Sequence, residues 1–422
     1  MMDFNMEKPT KKRDCKEDEH RSGIDSLPDE IALDIFSRLS VTSLMQSRFV
    51  CRYWKNFSFD QNLVSLHLSQ AGKRDPLLIF HSDFPIRNQL CFAELSGTDD
   101  AAEGIVKKIS TPFSASMPEF TVVGSCNGLL CLFDSLYKDA VYIYNPFTRD
   151  YKELPKTRQY DEETVVCGFG YHPETNQYKV VKIIYYWIVN FGYPRARSRI
   201  RTSHNSKSEV FILSLGGNAW RNIGEAPYFI QRRSQGALFT CGRLHWQTRG
   251  GSKNVRGLVI ISFDLADERF HEVPRPDFSS VADGHTYHLA NLKGCLSAIV
   301  YKYGSKELEI WVMKEYNVQE SWIKEFKIGA NLPESPSTNL LQPVRIWRSS
   351  VHRALVRILC ILENGEILME YSAGKLALYD VLSGRYKDIT FKGMPRVFQT
   401  VVHNRPATIL TEEEDDDMIN VL

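Results

Sequence analysis

The spacing of apolar residues changes period once along the chain. Between residues 26 and 57 they recur at steps of three and four. Ile31, Ile35 and Leu39 form one stripe with Phe36 alongside, Leu44 follows, and Val50, Cys51, Trp54 and Phe57 continue the pattern. This periodicity predicts amphipathic helices. Ser26 and Asp29 stand at capping-box spacing, and Pro28 falls in the first turn, where a missing N–H costs little. Thr42 or Ser43 is the expected cap of a second helix. The helical unit, bounded at 23–68, is too small to enclose all its apolar side chains, so several are expected to need an external partner.

After residue 75 the pattern becomes short runs of Val, Ile, Leu, Phe and Tyr between turn residues, which predicts strands. One unit recurs. Its first half reads TVVGSCNGLLCLF, GALFTCGRLHWQT, LANLKGCLSAIVY and VRILCILENGEILMEY, with turns at Asn127-Gly128, Cys241-Gly242, Lys293-Gly294 and Asn364-Gly365. Gly, or Asn before it, supplies the positive φ that a two-residue hairpin needs. CGFGYHPETNQYKVVKIIYY is a further first half, turning at Thr175-Asn176. The second half reads AVYIYNPFTRDYKELP, EVFILSLGGNAWRNIG, LVIISFDLADERFHEVP, LEIWVMKEYNVQESWIKEF and LALYDVLSGRYKDIT, each returning through an aromatic: Tyr151, Trp220, Phe270, Trp322 or Tyr386.

This gives five four-strand units, with first-half turns 48 to 71 residues apart. That is near the ~40–50 residue period of propeller blades carrying loop insertions. LLIFHSDFPIRNQLCFAEL adds two strands before the first unit and VFQTVVHN adds one after the last. Joining the two ends predicts a sixth blade and removes an exposed sheet edge. The connection 96–119 resists assignment, which leaves five or seven blades open. The expected fold class is multidomain, α plus all-β. A small helical domain at 23–68 precedes a six-bladed β-propeller-like repeat domain at 75–408, with a disordered tail at 1–22 and an acidic tail at 409–422.

Composition narrows the function. The chain has 422 residues, 43% hydrophobic and 24% charged, the balance of a folded protein. Its 52 basic and 51 acidic residues argue against a polyanion-coating protein, so no nucleic-acid partner is expected. The most apolar stretch, 180–191, is too short for a membrane span and carries Lys182. The first 22 residues lack the apolar core of a secretory leader. Lys11, Lys12 and Arg13 read as a solvated charge run ahead of a nuclear-import cluster. Nine scattered cysteines without a CxxC pair read as reduced thiols, which suits the nucleus or cytoplasm.

No residue constellation calls for catalysis. Gly124-Ser125-Cys126-Asn127-Gly128 mimics a nucleophile elbow, but that elbow leads into a helix and LLCLF reads as a strand. His285 and His288 stand three apart without acidic or Cys partners at zinc spacing, so no metal and no cofactor is expected. Asp264 and Asp267 fall in an expected turn, where Asp serves the backbone. One insertion stands out, NFGYPRARSRIRTSHNSKS at 190–208. Its Arg195, Arg197, Arg199 and Arg201 are the candidate substrate contacts, able to hold an acidic or phosphorylated partner bidentately. The plainer alternative is a solvated insertion.

Residues 27–57, LPDEIALDIFSRLSVTSLMQSRFVCRYWKNF, resemble an F-box. They carry the family's Leu-Pro start, its Ile-x-x-x-Leu pair at Ile35 and Leu39, the following Leu44, and the Val-Cys-basic-x-Trp signature at Val50, Cys51, Arg52 and Trp54. Ser40 departs from the family, which often has Pro there. SCNGLLCLF, YIYNPFTRDYKELP, GFGYHPETNQYKVVKI and ALFTCGRLHWQT are similar to the kelch-like F-box-associated domain of plant F-box proteins. The resemblance implies a non-catalytic substrate receptor of an SCF-type ubiquitin ligase. Its partners would be a Skp-family adaptor, a cullin through that adaptor, and an unknown protein substrate held by the propeller. The implied adaptor contacts are Leu27, Pro28, Ile31, Ile35, Leu39, Leu44, Val50, Cys51 and Trp54, some of which must instead hold the helical unit together. The alternatives are a ligand- or glycan-binding propeller whose F-box is secondary, and a propeller enzyme using Cys126.

Overall fold

The computed structural model describes residues 28–39, 41–47, 49–58, 60, 62–63, 66, 75–84, 88–95, 105–160, 163–187, 206–230, 237–249, 258–277, 286–302, 307–329, 356–371 and 375–403. Three helices come first: α1 (Asp29–Arg38), α2 (Val41–Ser47) and α3 (Arg52–Phe57). Pro28 is the N-cap of α1, so the helix starts later than the capping-box spacing indicated. No side-chain cap is made there, and the Pro28 carbonyl accepts Ile31 N at 2.9 Å and Ala32 N at 3.1 Å. Ser26 lies outside the described residues. Thr42 and Ser43 also prove to be inside the second helix, because α2 already starts at Val41. Phe36, Leu44 and Leu63 form the core of this unit, with Leu33, Leu39, Trp54 and Phe57 packed around it. The Phe36 ring meets Trp54 edge-on at 5.0 Å and Phe57 at 5.3 Å.

The remaining strands make six four-stranded antiparallel blades. Blade I joins β1 (Leu77–Phe84), β2 (Gln89–Glu94) and β3 (Lys107–Ile109) to the last strand, β24 (Val397–His403), in the order β24-β1-β2-β3. Blade II is β4 (Phe120–Cys126), β5 (Leu129–Asp134), β6 (Val141–Tyr144) and β7 (Tyr151–Glu153). Blade III is β8 (Thr164–His172), β9 (Gln177–Trp187), β10 (Ser206–Ser214) and β11 (Arg221–Gly224). Blade IV is β12 (Leu238–Thr240), β13 (Arg243–Arg249), β14 (Leu258–Asp264) and β15 (Phe270–Val273). Blade V is β16 (Thr286–Leu292), β17 (Cys295–Lys302), β18 (Glu307–Met313) and β19 (Trp322–Ile328). Blade VI is β20 (Arg357–Ile361), β21 (Ile367–Tyr371), β22 (Lys375–Asp380) and β23 (Arg385–Ile389). Blade I thus takes its inner strand from one end of the chain and its other three from near the other, as the joined-end reading required. Its fourth strand, β3, comes from the connection that the sequence left unassigned.

The turn chemistry follows the residues. Asn127 and Gly128 have φ of 45° and 83°, Cys241 and Gly242 52° and 68°, Lys293 and Gly294 51° and 83°. These two-residue hairpins suit the right-handed strand twist. A longer turn repeats between third and fourth strands. Asn145 Oδ1 accepts Phe147 N at 3.0 Å, Asp264 Oδ1 accepts Ala266 N at 2.7 Å, and Asp380 Oδ1 accepts Leu382 N at 2.9 Å. Four residues further on, Arg149, Glu268 and Gly384 each have positive φ. Asp264 is therefore a turn-forming residue, as its sequence context indicated.

The core is divided into layers between blades. Leu78, Phe80 and Phe398 pack on Leu359, Leu368 and Phe391 between blades I and VI. Five further apolar clusters fill the other five junctions. Polar groups bridge some of the same junctions. Trp220 Nε1 donates to the Pro155 carbonyl and Trp322 Nε1 to the Pro274 carbonyl, the latter at 2.8 Å. Lys179 Nζ, buried in blade III, reaches Leu265 O at 2.7 Å and Glu268 Oε1 at 2.8 Å in blade IV. Burial pushes the Glu268 carboxyl up, but hydrogen bonds from Lys179 and Arg221 outweigh it and hold the group below its ordinary range. Arg357 pairs with Glu370 at 3.1 Å and donates to Thr400 O at 3.1 Å, tying blade VI to β24.

Candidate interaction surfaces

The helical unit divides the nine candidate adaptor residues. Pro28, Ile31, Ile35 and Val50 face solvent, with Ile31 48%, Ile35 42% and Val50 63% exposed. Leu44 is buried in the core of the unit, and Leu39 and Trp54 pack against that core. These three are the members of the set that help hold the helical unit together, Leu44 buried and Leu39 and Trp54 half-buried. Cys51 is half-buried, and its Sγ accepts Trp54 N at 3.4 Å, so it serves α3 locally. Leu27 lies outside the described residues. Phe49, 90% exposed beside Val50, was missed by the sequence reading, although it sits in the same SRFVCRYW run. The exposed apolar side chains of the unit are thus Ile31 and Ile35 of α1 and Phe49 and Val50 in the turn ahead of α3.

The propeller has two unlike faces. Neighbouring strands are antiparallel, so connections between first and second and between third and fourth strands open on one side. This turn face holds the two-residue hairpins. The second-to-third connections and the links between blades open on the other, the link face. The chain reaches the propeller on the turn face. There Leu77 stands opposite His403 at the open β1/β24 corner, and Asp75 Oδ1 accepts Glu363 N at 2.9 Å from the first turn of blade VI. The connection from β9 to β10 leaves and returns on the link face, where Ser206 pairs with Trp187. Arg195, Arg197, Arg199 and Arg201 of that connection lie outside the described residues.

The nucleophile look-alike is a strand, a tight turn and a strand. Cys126 pairs with Leu129 at the β4/β5 hairpin, is 3% exposed, and burial pushes its thiol up, away from thiolate character. His288 is a buried residue of β16, and its partner in the proposed spacing, His285, is not among the described residues. Among the described residues no group of three or more His, Cys, Asp or Glu is arranged to hold a metal ion.

Comparison with known proteins places this architecture in a family. Residues 24–65 match an F-box-like family model, and residues 76–405 match the F-box associated beta propeller domain. The chain therefore belongs to the F-box proteins that carry an F-box-associated β-propeller, a plan that supports the general role of substrate receptor in SCF ubiquitin ligases. An F-box protein of Arabidopsis thaliana is 46% identical over 392 residues, covering 90% of this chain and 91% of that protein. An F-box/kelch-repeat protein of the same plant is 27% identical over 379 residues, covering 86% and 89%. Among solved structures, an oligogalacturonate lyase in complex with manganese aligns at TM-score 0.40 and 10% identity over 75% of this chain and 77% of that one. At that distance neither activity nor fold detail transfers.

Proposed function

We propose that this chain is the target-recognition subunit of an SCF-type ubiquitin ligase. Its helical unit docks on a Skp-family adaptor, and through it on a cullin, while the propeller holds a protein to be ubiquitinated and degraded. The observation that carries this reading is the exposed apolar group Ile31, Ile35, Phe49 and Val50 on a unit that buries only a small core of its own. Covering each such side chain is worth roughly 1.5–3 kcal/mol, so four left exposed on one small unit favour an apolar partner. Leu27 and Pro28, just ahead of α1 in sequence, are proposed contacts too, and the four arginines of the β9–β10 connection remain candidate target contacts.

The chain's contribution is proximity. A target held on the propeller meets a ubiquitin-conjugating enzyme carried elsewhere in the assembly at a raised effective concentration. No bond is made or broken by this chain in that scheme. Replacing Leu27 and Pro28 together by Ala is expected to abolish co-purification of the Skp-type adaptor while the propeller keeps its thermal transition. Adaptor recovery equal to wild type would count decisively against the proposal.

A further inference from the structure

The closing strand β24 is fixed differently from the other strands of the propeller. Blades II to VI are each drawn from one continuous stretch of chain, whereas β24 reaches β1 from the far end of the sequence and no hairpin joins the two. It is the last strand of its sheet, so its inner edge has no strand partner. The link leading into it is anchored as far as Lys392, which bridges Ile105 and whose carbonyl accepts Val106 N at 3.0 Å. Gly393 follows with a φ of 84°, left-handed backbone that favours glycine. A pivot therefore stands just before the strand.

Two side chains of blade VI take the place of the missing strand. Arg357 and Glu370 stand opposite each other on β20 and β21. Glu370 Oε2 accepts Thr400 N at 3.3 Å, and Arg357 Nη2 donates to Thr400 O at 3.1 Å. Arg357 Nη1 closes the triangle on Glu370 Oε2 at 3.1 Å. In an antiparallel strand the N–H and C=O of one residue point to the same side. Thr400 thus turns both groups to the open edge of β24, and both are gripped. Glu370 is 8% exposed. A buried pair of this kind adds little net stability, but removing one partner strands the other charge and leaves main-chain groups of Thr400 unpaired. The remaining holds on β24 are few. Phe398 enters the layer between blades I and VI, Val401 and Val402 pack at the margins of two layers, and His403 Nδ1 meets Ser125 Oγ at 2.7 Å.

We propose that β24 is a detachable strap and that the Arg357–Glu370 pair is its catch. With the pair intact the ring is closed. With it broken, β24 leaves as a unit, pivoting at Gly393, while blades II to V stay folded. Opening bares the edge of β1, which β24 otherwise covers from Leu77 to Phe84. The device is independent of the receptor proposal, and its test needs no partner.

Hydrogen exchange of the full-length protein, read by mass spectrometry, is that test. Glu370→Leu removes the acceptor of Thr400 N and strands Arg357. Arg357→Lys keeps the charge but lacks the fork that spans Glu370 and Thr400 O. Each is expected to speed exchange across 397–403 and 77–84 by about tenfold or more, with 177–187 in blade III and 295–302 in blade V unchanged. Glu268→Gln, which breaks the ion pair between blades III and IV, should leave exchange across 397–403 as in wild type. If thermal denaturation finds Glu370→Leu unfolded, Arg357→Lys decides alone. Unchanged exchange across 397–403 overturns the proposal. So does equal loss of protection in all blades, or an equal effect of Glu268→Gln on β24.

Discussion

A Cβ added at Gly170 would lie 2.3 Å from Phe239 Cδ2 and 2.9 Å from Leu265 Cδ1, and one at Gly168 2.7 Å from Leu244 Cδ1. The two glycines on β8 thus set how closely blade III approaches blade IV. Gly170→Ala is expected to cost about 1–3 kcal/mol by urea denaturation. Gly124→Ala, where the nearest atom would be the Phe169 oxygen at 3.7 Å, should stay within about 0.5 kcal/mol. Single histidines set the acid limit. Burial lowers the pKa of His81, His288 and His403 to about 3, and that of His245 to about 4. The unfolded chain would titrate these groups near 6.5 and so binds more protons below that pH. Their contribution is complete above about pH 6.5 and is lost as pH falls toward 4 and below, each histidine steepening the slope by up to about 1.4 kcal/mol per pH unit. Thermal midpoints across pH 7 to 4 check this. A flat profile would exclude neutral buried imidazoles. The GFG motif was visible in the sequence, but its reason was not, since Phe239 and Leu265 lie in another blade.

At the level of elements, strands were easier to read than helix ends and loops. Strand runs that lie between two blades are apolar on both sides, as in β5, and stand out as LLCLF. β3 did not, because it is only three residues long and reads KKI; it exists by pairing with β2, Leu90 opposite Ile109. Helix caps failed for a local reason: the Pro28 carbonyl, a backbone group invisible to side-chain patterning, begins α1. The same limit mixed buried and exposed members of the apolar stripe. Leu44→Ala should destabilise the helical unit by about 2–4 kcal/mol, because Leu44 fills its core. Ile31→Ala should leave the unit folded and weaken only adaptor binding. Amide hydrogen exchange over residues 28–63, paired with adaptor titration, separates the two. Equal loss of protection in both variants would contradict the division.

For the whole molecule, ring closure is the decisive contact. β24 pairs with β1 from Leu77–His403 to Phe84–Val397, and Phe398 packs with Phe80 at 4.8 Å. A chain ending at Arg396 loses the inner strand of blade I, together with the Arg357–Thr400 link and the Ser125–His403 hydrogen bond of 2.7 Å. It is expected to lose its single cooperative transition and become sensitive to limited proteolysis around blades I and VI. A truncated chain as resistant as the full one would show that closure adds nothing. The alternation of runs and turns, the turn residues and the apolar helical stripe are local properties, each set within a few residues, and the amino-acid order alone determined them. Which stripe residues face outward is decided inside the helical unit, by packing on Phe36, Leu44 and Leu63. Six as the number of blades and the separation of a turn face from a link face depend on residues hundreds of positions apart. Only the closed ring brings those together, because inter-blade packing buries one set of side chains and by exclusion leaves the other to bind.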